Sequence, residues 1–213
     1  MKVTIIYDDE VYKPALKADH GFSCLIEVEN TPKILFDTGA NGSILLSNME
    51  KLDIDPKSIE EVFISHTHQD HTGGLSDFLK ANKTAKIYIP ASFSRNFGER
   101  KVTVVKESFQ IHKNIFSTGE LKGIEQSMAI KTKKGIVLVV GCSHPGVGDI
   151  LNAASKFGKV YAIIGGLHGF KEFNLLEDLE VVCATHCTQF KQEINSLYPK
   201  KFIDGGAGKI ILP

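Results

Sequence analysis

Three histidines and one aspartate fall within six residues of this chain, at His66, His68, Asp70 and His71. Neutral imidazole and carboxylate are the ordinary ligands of a borderline metal such as zinc. Residues so closely spaced can share a metal centre only where the backbone is tightly held, so this stretch constrains the whole chain. The preceding Glu61-Val62-Phe63-Ile64 is a short, mainly apolar run that reads as a buried strand. After Gly73-Gly74, the segment Leu75 to Ala81 has helical periodicity. The ligand-type residues therefore sit on a loop leaving a strand end, where α/β folds place their chemistry. His66 and His68 are two apart, so in an extended segment they project the same way and can grip one ion. Asp70 and His71 follow after a turn and suit a second ion, and Asp70 can also orient a nucleophile. Gly73 and Gly74 let the backbone bend tightly where a Cβ would clash.

The rest of the chain supports a globular setting for this loop. Its 213 residues, 42% of them hydrophobic, are enough for one domain over 1–213 with a sizeable core. Lys+Arg and Asp+Glu each number 25, so the net charge is zero. That balance argues against nucleic acid or an anionic membrane as main partner and leaves a small-molecule substrate. No run reaches the roughly 20 apolar residues of a membrane span. The N-terminal apolar run ends in Asp8-Asp9-Glu10 and reads as a first strand rather than a signal peptide. Cys24, Cys142, Cys183 and Cys187 show no disulfide framework, which predicts reduced thiols and a cytoplasmic location.

Period-2 and period-3.6 patterns predict strands at Val3–Tyr7, Phe22–Val28, Lys33–Phe36, Lys86–Pro90, Val102–Val105, Ser127–Thr132, Gly135–Val140, Tyr161–Ile164 and Val181–Ala184. Phe109–Ser117 reads as a weak hairpin broken at Lys113-Asn114. Short closing strands are expected at Phe202–Asp204 and Lys209–Leu212. Helices are expected over Gly42–Leu52, Ser92–Glu99, Val147–Phe157 and Gln189–Tyr198, with a helical turn at Asp55-Pro56.

One theme recurs: a strand, then small residues, then a histidine. It appears at His66, His144, His168 and His186, and all four could converge on one sheet edge. His144 follows Gly141-Cys142-Ser143 and reads as a ligand completing the first loop's site. His168 and His186 read as ligands or substrate contacts. His20 reads as a loop histidine and His112 has no assigned role. Cys142 and Cys187 read as small buried packing residues, with soft ligation as the alternative. Asp37, at the end of a buried strand, reads as a residue that holds ligand-loop groups in place, or else as an N-cap for the next helix.

His66-Thr67-His68-Gln69-Asp70-His71 resembles the H-x-H-x-D-H signature of the metallo-β-lactamase superfamily, and Asp37-Thr38-Gly39 resembles its upstream aspartate motif. Four further segments are similar to the dihydropterin synthase-like branch, whose type enzyme serves methanopterin synthesis. They are His20-Gly21-Phe22-Ser23, Ile34-Leu35-Phe36-Asp37-Thr38-Gly39, Gly141-Cys142-Ser143-His144-Pro145-Gly146 and Thr185-His186-Cys187-Thr188. The resemblance implies an α/β four-layer αβ/βα sandwich, two mixed β-sheets with helices outside and metals at one edge. It implies that His66, His68 and a later histidine bind one ion, and that Asp70, His71 and another later histidine bind a second. The expected cofactor is zinc, one or two ions, with iron or manganese as alternatives. The expected activity is that of a metal-dependent hydrolase or transferase. An iron-dependent oxidoreductase of dioxygenase type and a non-catalytic metal sensor are the competing readings.

Overall fold

All five residues of Ile136-Val137-Leu138-Val139-Val140 are buried, yet they do not share one core. Val137 and Val139 join one apolar cluster, while Ile136, Leu138 and Val140 join another. Ile34 and Phe36 likewise face away from Leu35. Successive side chains of a strand point to opposite faces, so strands apolar on both faces must be covered on both. That requirement sets the layers: helices, sheet, sheet, helices.

The computed structural model describes residues 1–213. The first sheet takes β1 (Lys2–Tyr7), β2 (Ser23–Glu27), β3 (Ile34–Phe36), β4 (Glu61–Phe63), β5 (Lys86–Pro90) and β6 (Val102–Val105). Three helices interrupt these strands: α1 (Gly42–Lys51), the one-turn α2 (Gln69–Thr72) and α3 (Leu75–Ala81). The second sheet takes β7 (Phe109–His112), β8 (Ile115–Ser117), β9 (Met128–Lys131), β10 (Ile136–Val140), β11 (Val160–Gly166) and β12 (Val181–Thr185). Two more helices, α4 (Val147–Ser155) and α5 (Lys191–Leu197), pack on its outer face, and β13 (Ile210–Ile211) returns to pair with β1. The strand orders are β13-β1-β2-β3-β4-β5-β6 and β12-β11-β10-β9-β8-β7.

Each sheet is antiparallel on one side and parallel on the other. β3 to β6 run parallel in the first, and β10 to β12 in the second. Parallel neighbours need a crossover, so the turns that follow them emerge at one sheet edge. Asp37, Ser65, Gly141, Leu167 and His186 all follow such strands. Gln126 ties the two edges together: its backbone N–H donates to Ser65 O at 2.9 Å and its side-chain amide donates to Ile64 O at 2.8 Å.

Gly73 and Gly74 are needed, though for space rather than for an unusual bend. Both have ordinary helical φ, −62° and −76°. A Cβ on Gly73 would lie 2.0 Å from Ala40 O, and one on Gly74 would lie 2.2 Å from Thr38 O. The ligand loop is thereby pressed against the turn after β3.

The sheet pattern follows the sequence reading closely, including the Phe109–Ser117 hairpin. Three local expectations are corrected. No helix forms over Ser92–Glu99: tertiary packing overrides the local pattern, and Phe93 and Phe97 stack at 6.0 Å against the outer core of the first sheet. Phe202–Asp204 makes only a single bridge, Val182 to Phe202. The segment between β4 and α3 is not all loop, because Gln69–Thr72 closes one helical turn.

Phe36 stacks on Phe63 at 5.3 Å and meets Phe22 edge-on at 6.2 Å in the inter-sheet core. Phe36→Ala is expected to lower unfolding free energy by about 3–5 kcal/mol, measured by urea denaturation of the metal-free protein. A loss under about 1 kcal/mol would show that this core is not tightly packed there.

Candidate metal centre

The geometry begins with which nitrogen of each imidazole is engaged. His71 Nδ1 donates to Asp37 Oδ2 at 2.7 Å. His186 Nδ1 donates to Asp9 Oδ1 at 2.7 Å. His144 Nδ1 donates to Glu125 Oε2 at 3.0 Å. His66 Nδ1 donates to Ser65 Oγ at 2.9 Å, and that hydroxyl donates onward to Asp37 Oδ2 at 2.6 Å. Four rings are thus oriented through Nδ1, which leaves Nε2 of each for the interior. A metal-binding histidine is usually held in this way by its second nitrogen.

Ligand atoms of Asp70, His71 and His186 converge within 4.8 Å in one group and those of His66 and His144 in another, with the His68 ring beside the second. The rings of His66, His68 and His144 form a triangle with every centroid separation 4.7 Å. Asp70 Oδ2 lies 3.3 Å from His71 Nε2 and 3.2 Å from His186 Nε2. Around an ion with bonds of about 2.0–2.2 Å, tetrahedral donors stand roughly 3.3 Å apart. The rings of His66 and His71, 4.2 Å apart, join the two sets. His66 and His186 are buried; His66 Nε2 has no hydrogen-bond partner, and His186 Nε2 meets only the Asp70 carboxylate, at 3.2 Å. A buried, neutral nitrogen like that of His66 is costly unless something accepts its lone pair. The donor set therefore fits metal ions.

His68 is exposed at the rim, so this triangle opens toward solvent. His168 stands one step further out. Its ring is 5.3 Å from that of His144, and it lines a cavity of about 400 Å³ with His144, outside the converging donor atoms. His112 pairs with Glu61 at 2.8 Å and takes no part.

Asp37 is fully buried and sits in the left-handed region at φ 54°. It accepts Ser65 N–H at 2.7 Å as well as the Ser65 hydroxyl and His71. The helix cap is a different residue, Asn41, whose side chain accepts from Ser43 N and Ile44 N. Ser143, His168 and His186 also adopt positive φ, so four of the strained non-glycine residues lie at this edge.

Two carboxylates escaped the sequence reading. Glu125 is fully buried: Oε1 accepts the N–H groups of Gly141, Cys142 and Ser143, and Oε2 accepts that of His144. It builds the turn that carries His144, yet it follows no strand and belongs to no motif. Asp9 holds His186 and the N–H of Gly21. Its signal was present, since Asp8-Asp9 directly follows a buried strand, the same pattern that marks the histidines. His20 is also nearer than a plain loop residue, with Nδ1 3.0 Å from Asp9 and Nε2 3.6 Å from Asp70.

Charge follows the geometry. Burial opposes the charged form of His71, but Asp37 and Asp70 outweigh it and raise its pKa to about 10. Burial is likewise outweighed at His186, which Asp70 and Asp9 raise to about 9. Burial and its histidine neighbours push His66 down to about 2. Asp70, against the effect of burial, is held well below the usual carboxylate range by His186 and His71.

Metal-ligand side chains gathered at the edges of two face-to-face mixed sheets define the class, an αβ/βα sandwich with a candidate metal site. A profile described as the Metallo-beta-lactamase superfamily matches residues 16–148, and the chain belongs to that superfamily. It is 30% identical to 7,8-dihydropterin-6-methyl-4-(beta-D-ribofuranosyl)-aminobenzene-5'-phosphate synthase of Methanocaldococcus jannaschii, over 98% of this chain and 95% of the relative. That alignment runs over 280 positions, so the relative carries segments this chain lacks. Among solved structures, Tm1679, a metal-dependent hydrolase of the beta-lactamase superfamily, superposes with a TM-score of 0.80 at 24% identity, covering 100% of this chain and 99% of that one. Zn(2+)-bound PqqB from Methylobacterium extorquens superposes with a TM-score of 0.66 at 13% identity, covering 100% of both chains. Both likenesses establish the fold.

Metal binding requires neutral donor nitrogens, so protons on His71 and His186 must leave. Zinc binding at pH 7.5 is expected to release about two protons from these rings, read by calorimetry in buffers of different ionisation enthalpy. Apparent affinity should rise with pH until about 9 to 10, where the rings lose their protons unaided. The metal-free protein moves the other way. Both folded pKa values exceed the ordinary 6.5, so their stabilisation is complete below 6.5 and is lost as pH rises through 9 to 10. Asp37→Ala should weaken zinc about 10- to 100-fold, read by chelator competition; unchanged affinity would refute its role in holding His71.

Proposed function

We propose that this protein is a dinuclear zinc hydrolase or group-transfer enzyme for a small ester, lactone, thioester or phosphoester. The observation that carries the reading is the pair of donor sets, each drawing on both sheets, beside a cavity of suitable size. Imidazole-rich donors with one carboxylate suit zinc. When bound, zinc would supply a Lewis acid and lower the pKa of water to about 7.

The chain's own residues supply the rest. Asp70 faces His71, His186 and His20, and its carboxylate can orient a nucleophile between them. The cavity beside His144 and His168 has an apolar wall of Val147, Leu167 and Phe170, which excludes water from one side of a substrate. Lys171 and Glu172 also line it, and the lysine can pair with an anionic group of a substrate. Likeness to a synthase whose printed name carries a 5'-phosphate supports a phosphate-bearing substrate and a transfer reaction. The four cysteines are free thiols, which supports a reducing, cytoplasmic setting.

Elemental analysis of purified wild type should find close to two zinc ions per chain. His66→Ala and His68→Ala should each lose at least one of them, together with hydrolysis of p-nitrophenyl esters and phosphoesters. Full retention of metal by both variants would overturn the reading.

A further inference from the structure

Cys142 is shared by both donor sets. Its Sγ lies within 4.8 Å of the ligand atoms of Asp70, His71 and His186, and equally within 4.8 Å of those of His66 and His144. The thiol is 3% exposed, and its Sγ stands 3.1 Å from His71 Nε2, the ring nitrogen that faces the interior. That separation matches the other edges of the second set, 3.3 Å and 3.2 Å.

The turn that carries it is fixed. Glu125 collects the backbone N–H groups of Gly141, Cys142, Ser143 and His144, so the Cys142 Cα cannot drift. His66 Nε2 is buried without a hydrogen-bond partner, and His186 Nε2 meets only the Asp70 carboxylate at 3.2 Å, itself a metal-ligand type, so the volume beside the thiol suits a cation. A thiol used only for packing would need neither the 3.1 Å approach to His71 Nε2 nor a place in both donor groups.

We propose that Cys142 is a metal ligand, a thiolate placed between the two ion sites so that its sulfur reaches either or bridges both. The proposal rests on the metal-centre reading above and adds a donor to it. On coordination the thiol proton passes to solvent and the sulfur lone pair forms the new bond. A sulfur donor makes the centre softer, which favours zinc over magnesium or calcium.

The test is zinc K-edge X-ray absorption on protein stripped and reloaded with zinc to measured stoichiometry. Wild type should show a sulfur shell at about 2.3 Å beside nitrogen and oxygen at about 2.0–2.1 Å. The sulfur shell should vanish in Cys142→Ser that retains zinc and persist in Cys187→Ser, the partly exposed neighbour. Bound zinc with only nitrogen and oxygen scattering in wild type would overturn the proposal and leave the metal centre standing. A sulfur shell that survives Cys142→Ser would overturn it equally. Absence of zinc binding by wild type would overturn the metal-centre reading itself. Should Cys142→Ser fail to fold, cobalt(II)-loaded Cys187→Ser decides: a near-ultraviolet thiolate-to-cobalt band supports Cys142, and its absence refutes it.

Discussion

Each buried imidazole at this centre is held by the nitrogen it does not offer to the interior. Asp37, Asp9, Glu125 and the Ser65 hydroxyl hold His71, His186, His144 and His66 respectively. A histidine ring free to rotate would point Nε2 into the cavity only part of the time. Ordering it costs side-chain entropy, and the Nδ1 hydrogen bonds meet that cost before any metal arrives. The anchors are themselves anchored. Asp37 accepts three hydrogen bonds and Glu125 five, so neither carboxylate is buried unpaired.

Such a centre is destabilising where it stands. Asp37, Ser143, His168 and His186 hold left-handed backbone, each at a cost on the order of 1–3 kcal/mol, and the His66 Nε2 is buried without a partner. The compensation lies in the sheets. Three apolar clusters flank and separate them, and the side chains of β10 serve two of these at once. Local rules are broken at one edge because layered packing elsewhere over-determines the backbone.

What could be read from the sequence follows the same division. Short continuous apolar runs such as Ile34-Leu35-Phe36 and Ile136–Val140 announce buried strands because the run and its length are local properties. The His66–His71 loop announces a metal centre because four donor types crowd a short segment. Glu125 was invisible: it acts through backbone groups sixteen to nineteen positions away, and nothing local distinguishes it from a solvated acid. Asp9 lies 177 positions from His186, and only folding makes them neighbours. The missing Ser92–Glu99 helix is the converse case, where local pattern suggested order and tertiary contacts of Phe93 and Phe97 decided otherwise.

The donors also divide by sheet. His66, His68, Asp70 and His71 follow β4 in the first sheet, whereas His144 follows β10 and His186 follows β12 in the second. Neither set is complete without a residue from each sheet. Between the sheets the edge is otherwise joined by polar contacts such as those of Gln126 to Ile64 and Ser65. A cation bound by either set would therefore act as a cross-link between the two layers. Binding to the folded state alone stabilises by RT ln(1 + [L]/Kd), and here that energy falls where the apolar core ends. Fold and site are thus coupled: the sheets bring the donors together, and an ion held by them would close the seam between the sheets.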